Sequence, residues 1–377
     1  IGEGIWRLVL GLYKVSQAGC DCKVRVSTYS RLSEKSRQYR AEMKPRRSAR
    51  TGAETWFKGD LHVHSIHSDG KHSVKELAAE ADRRQLDFVA ITDHNTISQL
   101  RDITRCDDDH PLLLPGEEIT TYNGHANVWG NRRWMEFRCR TLEEMSRLID
   151  EAHKDGLLFS INHPNDLGPD WTLKEIRGFD CIEVFCGLWP RMNFQSLNWW
   201  EQLLKEGNRV VAVGGSDLHS IGDFSTRDIF SLGTPTTWVQ SDGLSQDAVI
   251  DAIRKGHVFM SQGPDGPFVS LEARSDGNNR TASMGDQLSV PKSDAVDFQL
   301  RVQGAKGEWA SLVLDGENYV TIELDKNDFV GHWEIQPDGH RYCRAEILSA
   351  SSDLKSDERQ DQEVIALSNP IYLRYVS

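Results

Sequence analysis

Apolar and polar positions change their spacing three times along this chain, and each change predicts a different architecture. Leu8, Leu10 and Leu12, then Val24 and Val26, recur at intervals of two, the period of a half-buried strand pair at the end of a β-domain. Residues 31–50 lose that period. Arg, Lys and Ser dominate there and Pro45 interrupts, which suits a solvated linker better than a basic nucleic-acid arm. From Trp56 short apolar runs alternate with amphipathic segments, the layout of an α/β domain. Strands are predicted at Gly59 to Val63, Phe88 to Ile91, Leu112 to Leu114, Leu157 to Ile161, Cys181 to Val184 and Val210 to Val213. Capping boxes at Ser73 with Glu76 and at Thr141 with Glu144 open two helices, ending near Arg84 and Gly156, and two more are expected over Leu197 to Glu206 and Gln246 to Lys255.

Past Gly263 the helical spacing disappears. Val296, Phe298, Leu300 and Val302 alternate as a strand, and Leu312 to Leu314 and Val320 to Leu324 flank an Asp315-Gly316 hairpin turn. With a further strand at Ile371 to Tyr375 this predicts a C-terminal β-sandwich. The chain therefore divides into residues 1–55 (strand pair and linker), 56–263 (α/β catalytic domain) and 264–377 (sandwich).

Composition narrows the function classes. A length of 377 residues suffices for at least one large core, and a formal charge of −13 argues against bulk nucleic-acid binding. Seven cysteines with no C-x-x-C pair indicate reduced thiols rather than a disulfide framework or thiolate zinc site. No run of about 18 apolar residues occurs, so no membrane-spanning helix is expected; the compartment stays open between cytoplasmic and exported, and the oligomeric state is equally open.

The chemistry gathers at the ends of the predicted strands. Asp60-Leu61-His62-Val63-His64 ends the first strand with both imidazoles on one face, and His67, Asp69 and Lys71 follow. Thr92-Asp93-His94-Asn95, Gly116-Glu117-Glu118-Ile119-Thr120, Gly124-His125, Asn162-His163-Pro164 and Ser216-Asp217-Leu218-His219 succeed them, each at or beside a strand-loop junction. Parallel strands bring such ends to one face, where divalent cations make a cleft of imidazoles and carboxylates favourable. Nitrogen and oxygen donors without thiolate suit zinc, manganese or iron. Ordinary packing or surface roles are preferred for His67, His72, His110 and His153. No G-x-S-x-G elbow, Walker loop or dinucleotide fingerprint is found.

These ordered segments, DLHVHSIHSDG, ITDHN, PGEEIT with GHANVWG, INHP and GGSDLH, resemble the motifs of the PHP (polymerase and histidinol phosphatase) superfamily, closest to its carbaryl-hydrolase-like (CehA/McbA) branch. The resemblance spans about Trp56 to Gly263, and the late NPIY segment is similar to that branch's C-terminal β-domain. It implies a distorted (β/α)7 barrel, followed here by the sandwich, with two or three divalent metal ions in its mouth. By position, His62, His64, Glu118 and Asp217 would hold a first metal, Glu118, His125 and His163 a second, and Asp69, His94 and His219 a third. Glu117 is the alternative to Glu118. Asp93 and Glu183 would orient ligand histidines. Cys186 stands where the branch leads one to expect asparagine.

The implied activity is hydrolysis of a small phosphate mono- or diester, since paired metals can share and activate a water and neutralise phosphoryl charge. His67 is the candidate general acid, and Lys71, Arg191 and Arg227 are candidate substrate contacts. A carbamate or carboxylic ester hydrolase is the alternative, favoured if Trp129, Trp171 and Trp189 line the mouth. A non-catalytic binding protein is the second alternative.

Overall fold

The computed structural model describes residues 19, 21, 23–24, 55–106, 111–222, 231–275, 280–292, 294–336, 339–354 and 359–376. The chain divides into two compact units, Ile1–Met43 and Lys44–Ser377. In the first, the four described residues are exposed and without regular structure. The expected early strand pair, apart from Val24, and the basic segment 31–50 lie outside the described residues, as do His110 and Arg227.

The second unit begins with β1 (Thr55–Val63), α1 (Val74–Arg83), β2 (Phe88–Ile91), α2 (Leu100–Ile103), β3 (Leu112–Thr121), β4 (Gly124–Trp129), α3 (Leu142–Lys154) and β5 (Leu158–Ile161). It continues through β6 (Cys181–Cys186), α4 (Asn193–Lys205), β7 (Val211–Gly215), β8 (Thr236–Ser241), α5 (Gln246–Lys255) and β9 (Val258–Ser261). The β-rich remainder comprises β10 (Phe268–Ser275), β11 (Arg280–Ser283), β12 (Gln287–Pro291), β13 (Val296–Gln303), β14 (Trp309–Leu314), β15 (Glu317–Glu323), β16 (Asp328–Ile335), β17 (Tyr342–Leu348), β18 (Val364–Ser368) and β19 (Ile371–Val376).

Local signals set most helix ends. Ser73 accepts from the Glu76 amide while the Glu76 carboxylate reaches back to the Ser73 amide, and Thr141 with Glu144 repeats the arrangement on α3. Each such cap is worth about 1 kcal/mol. Gly256, at φ +77°, ends α5 in the left-handed conformation that glycine adopts without a Cβ penalty. α4 begins four residues before the expected Leu197, because its cap position is Met192, which offers no side-chain hydrogen bond to read in the sequence.

Strands β1 to β7 are neighbours in chain order, with β1–β2, β2–β3, β5–β6 and β6–β7 parallel. A parallel bridge between Val63 and Leu218 then ties the segment after β7 back to β1, supported by the His64 amide on the Leu218 carbonyl at 3.0 Å. The run departs from an all-parallel plan at β4, which is antiparallel to both β3 and β5. No strand is expected there from sequence because all six of its residues are buried, so the two-residue alternation is absent.

The large sheet does not stop at residue 263: β9 pairs antiparallel with β18, which leads into β17, β19 and β12. A second sheet, β11-β10-β13-β16, packs against this extension. Val269, Leu271, Phe298 and Leu300 of one meet Leu312, Ala345, Ile347 and Ile371 of the other in a common core. The Asp315-Gly316 turn joins β14 to β15 with φ of +48° and +81°, the positive-φ pair that two-residue hairpins favour.

Arg344 of β17 is fully buried between Glu201 of α4 and Glu346, and Arg359 pairs with Glu346 from the other side. Burial alone would raise the Glu346 carboxyl, but Arg359 and Arg344 outweigh it and hold its pKa at about 2. The unfolded chain therefore binds a proton at Glu346 that the folded chain does not, over the window between about 4.5 and 2, and stability falls as pH drops through it. Urea unfolding should show Glu346→Gln less stable than the parent at pH 7, with the gap narrowing as pH falls toward 2. A gap independent of pH contradicts the charged pairing.

Candidate metal centre

Residues two apart on a strand share a face, so Asp60, His62 and His64 all point inward from β1. Asp60 is fully buried and accepts from the amides of His62 at 3.1 Å, Ser216 at 3.0 Å and Gly233 at 2.7 Å. It thereby ties the end of β1 to the Ser216-Asp217 turn. Above it, His62 Nε2 and His64 Nε2 stand 3.1 Å apart, and Asp217 Oδ1 lies 3.4 Å and 3.1 Å from them.

Glu118 sits at the centre. Its carboxylate oxygens lie 3.3 Å from His62, 3.4 Å from His64, 2.7 Å from His94, 3.1 Å from His125 and 3.4 Å from His163, and its side chain is wholly buried. Asn162 Nδ2 donates to Oε1 at 3.0 Å, a contact that sequence reading missed although Asn162 precedes His163. Glu117, on the opposite face of β3, instead accepts from Asn131 Nδ2 and the Met135 amide, and burial pushes its carboxyl up to about 8. The same two-residue period that puts Glu118 in the cluster takes Glu117 out of it.

Among the described residues, four groups have ligand atoms within 4.8 Å of one another: His62, His64 and Asp217; His62, Glu118 and His163; His94, Glu118 and His125; and His64, Asp69, His94 and His219. Of the expected first grouping, His62, His64 and Asp217 come together without Glu118, and Asp69, His94 and His219 come together with His64. His125 and His163, expected on one ion, instead fall in separate groups that share Glu118. Exposure is graded: His62, His64 and Glu118 side chains are sealed, whereas His219 is 34% and Asp69 60% accessible, so the Asp69 group faces the opening.

The charge balance follows from these distances. Burial would raise the Glu118 carboxyl, but the surrounding histidines, His94 and His62 foremost, hold it well below the usual range. Burial lowers His64 to about 4, with His94 and His219 opposing its protonation against the pull of Asp217. Burial also opposes protonation of His219, yet Asp69 and Asp217 lift it to about 9.

The residues suit divalent cations. Two imidazole nitrogens facing each other at 3.1 Å and sharing carboxylate neighbours present converging lone pairs, and donor separations under 4.8 Å match ligands about 2.0–2.2 Å from a common ion. The backbone supports the same convergence. Asn95, His163 and Asp217 have φ of +51°, +27° and +53°, the left-handed region that non-glycine residues rarely adopt and that concentrates at functional sites.

Other expected residues are placed as follows. Glu183 Oε1 lies 3.0 Å from His62 Nδ1, while Oε2 accepts from the His163 amide at 3.0 Å. Asp93, expected to orient a histidine, accepts instead from the Ser65 amide and hydroxyl and the Ser68 hydroxyl, so it shapes the loop after His64. His67, the expected general acid, has its ring nitrogens 2.9 Å from Ser98 Oγ and 3.0 Å from Asp102 Oδ2, which turns it away from the cluster. Lys71 is exposed on the lip, its amide donating to the His219 carbonyl at 2.7 Å. Arg191 acts electrostatically on the Cys186 thiol, which burial pushes well up and which also senses Glu183 and Asp217. Cys186, where asparagine was expected, is buried, and the Asn193 side chain pairs with both its amide and its carbonyl at 3.0 Å. Trp129, Trp171 and Trp189 do not line the opening; all three are buried, with indole N–H groups on the carbonyls of Leu61, Leu173 and Gln362.

Residues 60–162 match the model of the PHP domain. Similar solved structures include a two-domain protein from Bacteroides vulgatus containing a predicted PHP-like metal-dependent phosphoesterase, at 15% identity and TM-score 0.47, covering 88% of this chain and 98% of that one. A candidate metal-dependent phosphoesterase from Bifidobacterium adolescentis follows at 17% identity and TM-score 0.36, covering 52% of this chain and 94% of its own. An amidohydrolase from Chromobacterium violaceum, with bound sulfate and no metal, is 17% identical with TM-score 0.33, covering 46% and 89%. No curated protein matches the chain.

Metal binding at this cluster should stabilise the fold by mass action, about 2.7 kcal/mol for each ion supplied at 100 times its dissociation constant. Adding zinc or manganese to chelator-treated protein should therefore raise its melting temperature in calorimetry, and Glu118→Gln should remove most of the rise. An equal rise in the variant contradicts the central place of Glu118.

Proposed function

We propose that this chain is a metal-dependent phosphoesterase, with two or three divalent ions of zinc, manganese or iron held by His62, His64, Asp69, His94, Glu118, His125, His163, Asp217 and His219. The observation that carries the reading is Glu118, a sealed carboxylate within 3.4 Å of five imidazoles drawn from four separate segments. Bound there, divalent cations supply Lewis acidity, which activates water and offsets charge on phosphoryl oxygens. The surrounding run of β1 to β7, joined at Val63 and Leu218, is read here as a distorted barrel of the PHP type.

The residues divide the work by position. Glu183 fixes the His62 ring by holding Nδ1, which leaves Nε2 directed at Glu118 and Asp217. Asp60 and the left-handed backbone at Asp217 set the carboxylate of Asp217 against both histidines of β1. Lys71 at the lip and Arg191 beside Cys186 supply positive charge suited to a phosphate group. The general-acid role proposed for His67 has no support in its contacts with Ser98 and Asp102. A carbamate or carboxylic ester hydrolase of the carbaryl-hydrolase type would be favoured by an aromatic mouth; Trp129, Trp171 and Trp189 are packed in the interior, while the exposed Trp134 donates to the Asn95 carbonyl at 2.9 Å beside His94.

The deciding experiment compares phosphomonoesters, phosphodiesters and aryl carbamates with metal-loaded protein, alongside Asp217→Asn. Asn keeps the shape but not the charge, so a capping role would cost about 1 kcal/mol of stability and little turnover. A ligand role predicts loss of turnover on the order of 100-fold with reduced metal content. Turnover of carbamates alone, or a fully active Asp217→Asn, overturns the reading.

A further inference from the structure

The β6–α4 unit forms one wall of the metal centre. It carries Glu183 behind His62, the Cys186 turn held by Asn193, and the segment 187–192 with Arg191. That wall is gripped from the C-terminal sheets by a continuous polar chain. Glu201 of α4 takes both Nε and Nη2 of Arg344 and the hydroxyl of Tyr342. Arg344 Nη1 reaches Glu346 Oε1 at 2.6 Å, and Arg359 Nη1 reaches Glu346 Oε2 at 2.6 Å. Three residues past Arg359, the Gln362 carbonyl accepts the indole N–H of Trp189 at 2.9 Å. The chain of contacts thus leaves α4 at Glu201 and returns to the segment that leads into α4. Near the helix end, Arg341 Nη1 donates to the Lys205 carbonyl at 2.7 Å.

Stability alone is a poor reason for this arrangement. Arg344 and Glu346 have 0% and 1% of their side chains accessible, and buried ion pairs are often matched or bettered by apolar residues of similar volume. What directional charge pairs add is a fixed geometry, because each carboxylate oxygen and guanidinium nitrogen has one place to go. The Trp189 ring adds a second constraint by packing edge-on against Phe185 of β6, with centroids 5.2 Å apart.

We propose that the Glu201-Arg344-Glu346-Arg359 chain, closed by Trp189 on Gln362, is a positioning device through which the C-terminal β-rich region sets the substrate-facing wall of the metal centre. Arg344, Arg359 and Trp189 are positioning residues; they act through segment 187–192 and the Arg191 it carries. The effect on substrate rests on the phosphoesterase reading, whereas the effect on the wall does not.

Arg359→Ala and Trp189→Phe test it in the full chain, since Arg359 is partly accessible and phenylalanine keeps most of the packing at 189. Hydrogen exchange should accelerate by at least ~10-fold at 187–193 and stay unchanged at 55–65 in both variants. With metal-loaded protein and p-nitrophenyl phosphate, KM and the inhibition constant of inorganic phosphate should rise about fivefold, kcat and metal content staying within about twofold. Arg359→Lys should restore both readouts. Unchanged exchange at 187–193 overturns the positioning device, and so does faster exchange with unaltered KM and phosphate inhibition. If the parent protein neither hydrolyses the ester nor binds phosphate, the phosphoesterase reading fails while the exchange data still decide whether the wall is held.

Discussion

A carboxylate sealed from water needs positive charge beside it, and among the described residues the groups that can supply it to Glu118 are imidazoles. Leaving such an ion unpaired costs on the order of several kcal/mol, so the fold must bring compensating groups to it from distant parts of the chain. Histidine can do so in two ways, by carrying a proton or by lending a lone pair to a cation. Protonation of several clustered imidazoles is self-limiting, since each proton opposes the next: His64 is lowered first by burial and further by His94 and His219. Divalent cations relieve the same carboxylates while leaving the imidazoles neutral.

Much of the surrounding architecture is explained by that constraint. Asp60, Asn162 and Glu183 hold the candidate ligands in place: Asp60 through the Ser216 amide, Asn162 through the Glu118 carboxylate, and Glu183 through the His163 amide. The unusual backbone at His163 and Asp217 is held by the same network, the His163 amide by Glu183 and the Asp217 amide by the His62 carbonyl at 2.9 Å. The opening lies on the side of Asp69 and His219, where exposure rises, so exchange with solvent has one direction. The C-terminal sheets belong to this frame through β9–β18 pairing and through Asn369, which bonds both the amide and carbonyl of Ala212 on β7.

The part of this organisation legible in the sequence is the part with strong local signatures. Capping boxes gave two helix starts, period-two alternation gave β13, and Asp-Gly gave the β14–β15 turn. Short apolar runs marked β2 and β5 to within a residue because they end abruptly in polar motifs. Strand β4 was invisible because burial on both faces removes the alternation, and α4 began early because nothing polar caps it. At the site, the histidines were legible as a set at or beside strand-loop junctions, whereas the choice of Glu118 over Glu117 came from the PHP resemblance, since both lie within β3. The partners of Asp93 and His67 were not legible, since Ser65, Ser68, Ser98 and Asp102 are ordinary loop and helix-end residues whose approach depends on tertiary geometry. His125 and His163, expected on one ion, fall in different groups although both stand against Glu118 Oε1, at 3.1 Å and 3.4 Å, while His94 meets Oε2.

Elemental analysis of the full chain purified after metal-supplemented expression tests the central claim most directly. Two or three transition-metal ions per chain, falling below one when Glu118 and Asp217 are both replaced by their amides, is the predicted result. A parent protein that holds no metal, yet keeps its fold and the histidine cluster, would contradict the account.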